Sequence, residues 1–165
     1  MTRFTELPDL VLGPLAGRPD ADWLKAPPGK WTSAQIVEHL AIALDTSSHV
    51  FEDRRARDPM HRRPRTWKER LAYAFILGLR WFPPGRKAPA QSTPTDHPDP
   101  TAVVARFRTG VERFLALEKL LLPARRYDLF VKHPRLGDLN LEEWMRFHVV
   151  HSRHHAKQIR ERLRG

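Results

Sequence analysis

The chain contains no cysteine. That excludes structural disulfides, a thiol nucleophile of its own and any thiolate metal site, so a bound metal has to be held by His, Asp or Glu. Long apolar runs are missing as well. Nothing approaches the roughly 18 residues that a membrane span needs, and no apolar segment of signal-peptide type follows Met1. The expected address is the cytoplasm. Internal repeats, low-complexity tracts and convincing strand alternation are also absent. At 165 residues and 19.2 kDa there is room for one ordinary domain, 1–165, and not for two well-buried ones. Apolar residues make up 41% of the chain, enough to build a core, so composition does not predict disorder.

Acidic charge is scarce. Lys and Arg number 29 against 19 Asp and Glu, a net charge of +10. The excess is uneven: Arg54 to Arg70 carries eight Lys/Arg against two acids, whereas residues 1–53 sum to −4. Histidine is abundant instead, with nine in all, and His148, His151, His154 and His155 fall within eight residues.

Helix signals divide the chain. Pro8 and Gly13-Pro14 keep the N-terminal region to short helices, and Pro27-Pro28-Gly29 ends it. Thr32-Ser-Ala-Gln35 is a capping box and opens a helix predicted over about 33–57, with Ile36, Leu40, Ala43, Ser47 and Val50 as its buried stripe. Thr66-Trp-Lys-Glu69 opens a second helix, predicted to run up to Pro83-Pro84-Gly85. Six prolines between 83 and 100 make an extended crossover. Asp99-Pro100 reads as N-cap and first residue of a third helix, whose apolar face includes Val103, Phe107, Val111, Phe114 and Leu121. Tyr127 to Leu139 reads as irregular, and Asn140 with Glu143 caps a last helix to about residue 163. The predicted fold is all-α: a helical bundle with one long Pro-rich crossover.

On the last helix Trp144, His148, His151 and His155 share an inward stripe. His151 and His155 are four apart; at ~1.5 Å rise and ~3.6 residues per turn their imidazoles project side by side from successive turns. That is the geometry by which an H-x-x-x-H pair grips zinc. Catalytic zinc takes three protein ligands, and His39, at the edge of the inward stripe of the first long helix, is the other good candidate. His49 is rotated roughly 80° from His39, and His154 about 100° from its neighbours' face, which turns it outward. On the residues alone, a hydrogen-bonded core role for each histidine stays open beside the metal role. Trp31, Trp144 and Phe147 read as core.

Lys30-Trp31-Thr32-Ser33-Ala-Gln35-Ile36-Val-Glu38-His39-Leu40 resembles the helix start of the DinB/YfiT-like superfamily of metal-dependent enzymes. The ending, His133-Pro134-Arg-Leu-Gly137 through Trp144 to His151-Ser-Arg-His154-His155-Ala-Lys-Gln158, is similar to the same superfamily, in a branch described only as a domain of unknown function. The resemblance covers about residues 20–160. It implies a four-helix bundle and a three-His metal site, carried onto His39, His151 and His155. It also implies a homodimer, for which no residue here argues; three neutral imidazoles would suit a divalent cofactor such as zinc or nickel. Related members use low-molecular-weight thiols as S-transferases or isomerases. The short, proline-broken first helix departs from that pattern, and the helix from residue 66 is expected to fill in for it.

The resulting expectation is a metal-dependent enzyme that acidifies a thiol cosubstrate or water for S-transfer or hydrolysis of a small-molecule substrate. His148, one turn before His151, is the candidate catalytic base or outer partner of a ligand, with a core role equally open. Gln35 is a candidate to orient a ligand, and Glu38 and Glu142 are expected in solvent. Of a different class is a non-catalytic bundle that binds anionic ligands or a membrane surface through residues 54–70 and the apolar stretch Leu71 to Phe82. No recognition motif accompanies the charge, which weighs against nucleic acid.

Overall fold

The computed structural model describes residues 3–82, 88–124 and 126–164. The predicted stop at Pro83-Pro84-Gly85, and Arg86 and Lys87 of the basic run after it, lie outside the described residues. The chain is mostly helical, with α1 (Leu7–Leu12), α2 (Asp20–Leu24), α3 (Ser33–Arg54), α4 (Trp67–Tyr73), α5 (Pro100–Leu121) and α6 (Leu141–Arg164), and one small sheet of β1 (Val131–His133) and β2 (Gly137–Leu139). No helix among the described residues is long and apolar enough to cross a membrane.

Helix starts sit where the side-chain chemistry puts them. Thr32 Oγ1 accepts from the Gln35 N–H at 3.1 Å while Gln35 Oε1 accepts from the Thr32 N–H at 3.0 Å, which satisfies two donors that α3 would otherwise leave bare. Thr66 and Glu69 repeat the arrangement at α4, and Asn140 and Glu143 at α6. Asp99 Oδ1 accepts from the Thr101 N–H at 3.0 Å, with Pro100 at the first position of α5.

The two long helices α3 and α5 lie against each other, with the Phe51 and Phe114 rings 6.4 Å apart and Leu44 against Gly110. Gly110 permits the approach, since a Cβ there would stand 2.8 Å from that of Leu44. Fully burying each such Phe or Leu contributes roughly 1.5–3 kcal/mol relative to exposure. The α3 stripe is rotated slightly from the predicted one. Ile36, Leu40 and Ser47 are buried, but Leu44 and Phe51 join them, and Ala43 and Val50 are only half-buried because they border a cavity.

Three expectations are corrected. The N-terminal segment does supply a wall: Phe4, Leu7, Val11 and Leu15 are buried and pack on α5 and α6, so short length did not keep the apolar side chains from a docking face. The helix from residue 67 stops being regular at Tyr73, passes through a single π turn over Ala74–Gly78 and turns at Arg80, whose φ is 54°. And the stretch read as irregular contains the antiparallel hairpin, registered Val131 to Leu139 and His133 to Gly137. Gly137 takes a φ of 75°, the left-handed residue that closes a three-residue hairpin loop. His133 holds that loop from inside, its Nδ1 accepting from the N–H groups of Arg135 and Leu136, both at 3.1 Å. Burial, with Arg135 nearby, lowers the His133 pKa to about 3, so the ring stays the neutral acceptor that the turn requires.

Candidate metal centre

His39 from α3 and His151 and His155 from α6 meet in a buried cluster. Nε2 of His151 lies 3.1 Å from Nε2 of His39 and 3.0 Å from Nε2 of His155. The outer nitrogens decide what those contacts are. His39 Nδ1 lies 2.6 Å from the carbonyl oxygen of Ser92, which can only accept, so Nδ1 carries the proton and Nε2 presents a lone pair. His155 Nδ1–H donates to Gln158 Oε1 at 2.8 Å, which leaves its Nε2 bare as well. Two lone pairs therefore face His151 Nε2, and a single proton there can serve only one of them. The third outer nitrogen, His151 Nδ1, is buried without a hydrogen-bond partner among the described residues.

A divalent ion would resolve the crowding. With metal–nitrogen bonds of about 2.0–2.1 Å and tetrahedral angles, neighbouring donor atoms stand roughly 3.3 Å apart, close to the spacing found. Ser92 and Gln158 fix tautomer and ring orientation as outer partners of metal-bound histidines do. The residues present thus fit a divalent metal: three buried His side chains that could bind one, an all-nitrogen set with no carboxylate. Burial holds all three in the neutral, ligating form. It lowers the His39 pKa, it lowers that of His155 to about 3 with help from His39, and it pushes that of His151 well down, with His155 and His39 adding to the effect.

Aromatic rings brace the cluster. His151 packs against both Phe82 and Phe147, with centroids 5.2 and 5.1 Å away, and Trp31 lies 5.0 Å from His39. Phe147 and Trp144 are core as expected, and the Trp144 Nε1–H donates to the Val131 carbonyl at 3.0 Å; Phe147 also packs on His151, and Trp31, read from sequence as core, is only half-buried and packs on His39. His154 is not turned into solvent either. It is half-buried, its ring is 5.1 Å from that of Phe82, and its Nε2 accepts from Gln158 Nε2 at 3.2 Å. Phe82 supplies a surface on that side which no helical wheel of α6 alone could reveal.

The Pro-rich crossover delivers Ser92. It is pinned to α3 by Glu38, which accepts from the N–H and hydroxyl of Thr95 at 2.7 and 2.9 Å, and by Gln35, whose amide donates to the Thr95 carbonyl at 3.0 Å. Glu38 is thus buried rather than solvated, and Gln35 anchors chain instead of orienting a ligand; Glu142 is exposed as expected. His49 is exposed and pairs with Glu52.

His148 stands apart from the cluster. Three residues before His151 it is rotated about 60° away, which aims it at the core between Phe114 and Trp144. Ser47 Oγ donates to the Ala43 carbonyl at 2.7 Å, so the 3.0 Å contact to His148 is made by the His148 Nε2–H. Burial, with His133 nearby, lowers its pKa to about 3. That nitrogen is a donor held by Ser47 and is not available to take a proton at the cluster.

A cavity of about 1450 Å³ opens onto the cluster, with His39, His151, His154 and His155 in its wall. Among the described residues its lining carries Lys30, Lys68, Lys132, Arg135 and Arg162 against one carboxylate, Glu69, which is folded back on Thr66. Gln158→Leu, which removes the acceptor of His155 Nδ1–H, is expected to weaken metal affinity about tenfold to a hundredfold with little change in fold. Calorimetric zinc titration of chelator-treated protein, with circular dichroism as control, checks it.

Half of the basic segment is structural, while Arg55, Arg57, Lys68 and Arg70 are exposed. Arg62 and Arg65 pair with the buried Glu143, Arg63 pairs with Asp138, and Arg54 donates to the Phe130 carbonyl. Charge counting along the chain could not show this, because the carboxylates are more than 70 residues away.

A sequence model of the family described as "Protein of unknown function (DUF1569)" matches residues 21–162. No curated protein and no solved structure matches the chain.

Proposed function

Because the chain belongs to the DUF1569 family, whose description states no activity, we propose from its own geometry that it is a metal-dependent enzyme of DinB-like four-helix-bundle type, with His39, His151 and His155 as ligands. The observation that carries the reading is the convergence of three imidazoles whose ligand atoms lie within 4.8 Å of one another, the His151 Nε2 standing 3.1 Å from that of His39 and 3.0 Å from that of His155, with Ser92 and Gln158 holding the outer nitrogens of the other two. These are also the three positions that the sequence resemblance implies. The all-nitrogen set suits zinc or nickel. Such an ion, when bound, acidifies a thiol or a water molecule so that either becomes a nucleophile near neutral pH.

The chain's own residues supply the rest. Phe82 and Phe147 hold the His151 ring in plane, and Phe82, Trp31 and Trp144 give the cavity apolar walls that limit water. The cationic lining favours an anionic small-molecule co-reactant. Without cysteine, the thiol must come from a cosubstrate, for which the cytoplasm is the expected source. His148 acts as a positioning residue, linking α6 to Ser47 in the cavity wall.

The test is elemental analysis of untagged protein, followed by a panel of low-molecular-weight thiols assayed with monochlorobimane as electrophile. The expected result is about one zinc or nickel per chain and metal-dependent conjugation with at least one thiol. Absence of a stoichiometric ion overturns the metal reading. A bound ion without turnover of any thiol removes S-transfer and leaves hydrolysis.

A further inference from the structure

The fold leaves a strip of large apolar side chains uncovered beside the metal cavity. Trp67 is 70% exposed, Leu71 53%, Phe75 39%, Leu79 71% and Trp81 52%. Trp67, Leu71, Phe75 and Leu79 recur every four residues through α4 and the π turn, which keeps them on one face. The opposite face buries Ile76 and Leu77 against the body of the protein. Phe75 and Trp81 touch, with centroids 6.1 Å apart, and four of the five residues also line the cavity. The strip is therefore one continuous rim. Exposed apolar side chains scattered singly need no explanation, but a contiguous set of this kind marks an interaction site.

Its charge selects the occupant. Lys68, Arg70 and Arg80 are exposed along the same segment, with Lys68 Nζ 5.5 Å from the Trp67 ring, and the one acid, Glu69, is folded back on Thr66. A second copy of the chain, docked symmetrically, would set these cations against themselves. An anionic lipid surface matches both halves of the pattern. Indole rings favour the headgroup level, lysine and arginine favour the phosphates, and Leu and Phe favour the acyl boundary. The twelve residues from Trp67 to Gly78 span about 18 Å, suited to lying in the interface and too short to cross it. Arg62, Arg63 and Arg65, already paired, play no part.

We propose that the α4 strip docks on an anionic lipid surface, with Trp67, Leu71, Leu79 and Trp81 entering the interface and Lys68, Arg70 and Arg80 facing the headgroup phosphates. Docked in this way, the cavity rim, to which four of the five strip residues belong, opens at the bilayer.

The experiment is co-sedimentation of the full untagged chain with vesicles of phosphatidylcholine and phosphatidylglycerol, against vesicles of phosphatidylcholine alone. Wild type is expected to partition at least about tenfold more strongly onto the anionic vesicles, with a blue shift of tryptophan emission. Leu79→Glu should reduce that partition about tenfold or more, and Lys68→Gln with Arg70→Gln should remove the preference for anionic lipid; all are surface positions, and unchanged circular dichroism verifies the fold. Equal or absent sedimentation with the two vesicle types overturns the proposal. So does a dimer in light scattering that Leu79→Glu dissociates, since a second copy then occupies the strip.

Discussion

His151→Ala is expected to abolish stoichiometric binding of a divalent ion, lowering affinity well beyond the roughly hundredfold that loss of an outer partner costs. His151 is the hinge of the cluster, with its Nε2 within 3.1 Å of one ligand and 3.0 Å of the other. Without it His39 and His155 form a two-nitrogen site on different helices. The stability readout is separate from the binding readout. An ion that binds only the folded chain adds about 2.7 kcal/mol when present at a hundred times its dissociation constant. A chelator should therefore lower the Tm of the wild type and leave that of the variant unchanged. Compared metal-free, the two should differ little, because alanine removes a crowded nitrogen and an unpartnered Nδ1 even as it opens a cavity. Elemental analysis and thermal scans with and without chelator check both halves; a variant that retains one ion per chain would show that the ligands lie elsewhere.

Glu143→Ala is expected to be the most destabilising single change outside the apolar core, at roughly 3 kcal/mol, which for a chain of this size is about 10 °C in Tm. The Glu143 carboxylate is 6% exposed and accepts from Arg62, Arg65, the Tyr73 hydroxyl and the Asn140 N–H. It ties the basic segment and α4 to the first turn of α6. Its removal takes the carboxylate from Arg65, itself only 15% exposed, which keeps only the Leu136 and Asp138 carbonyls as acceptors. Arg62 is 31% exposed and regains water, which keeps the figure at the low end for a buried pair.

The pH dependence follows from the same contacts. Burial pushes the Glu143 pKa up, but donation from Asn140, Tyr73 and Arg62 outweighs it, and the net direction is down; Arg63 lowers that of Asp138 likewise. A carboxylate whose folded pKa is depressed contributes stability that is present above its unfolded value, near 4.3 for Glu and 3.9 for Asp. That contribution is lost as pH falls through the folded pKa. Wild type should thus lose stability more steeply than Glu143→Gln below about pH 4. Urea midpoints measured across acid pH check the sign, and parallel curves would sink the assignment.

Legibility along the chain followed the range of the interactions involved. The starts of α3, α4, α5 and α6 each depend on a cap closed within two or three residues, and all four lie where Thr32, Thr66, Asp99 and Asn140 place them. His151 and His155 share a face because the helix period requires it. The hairpin was hidden because its strands have three residues each, and every residue of β2 is buried, so no alternation shows. The π turn was hidden because Leu71 to Phe82 is apolar on both sides, and packing rather than periodicity decides which side is covered.

Local chemistry was enough to establish a mostly helical chain without thiol chemistry of its own, with three histidines on two helices as candidate ligands. It could not say that their Nε2 atoms meet, since the 112-residue separation of His39 and His151 closes only through packing. Nor could it find the partners that decide each group's state. Ser92 sets the tautomer of His39, Ser47 holds His148, and Thr95 draws Glu38 out of solvent. Arg62, Arg63 and Arg65 look like part of a free cationic surface until the hairpin and α6 bring Asp138 and Glu143 against them. A side chain's ionisation and hydrogen bonding belong to its neighbours in space, and those are assigned by the tertiary fold.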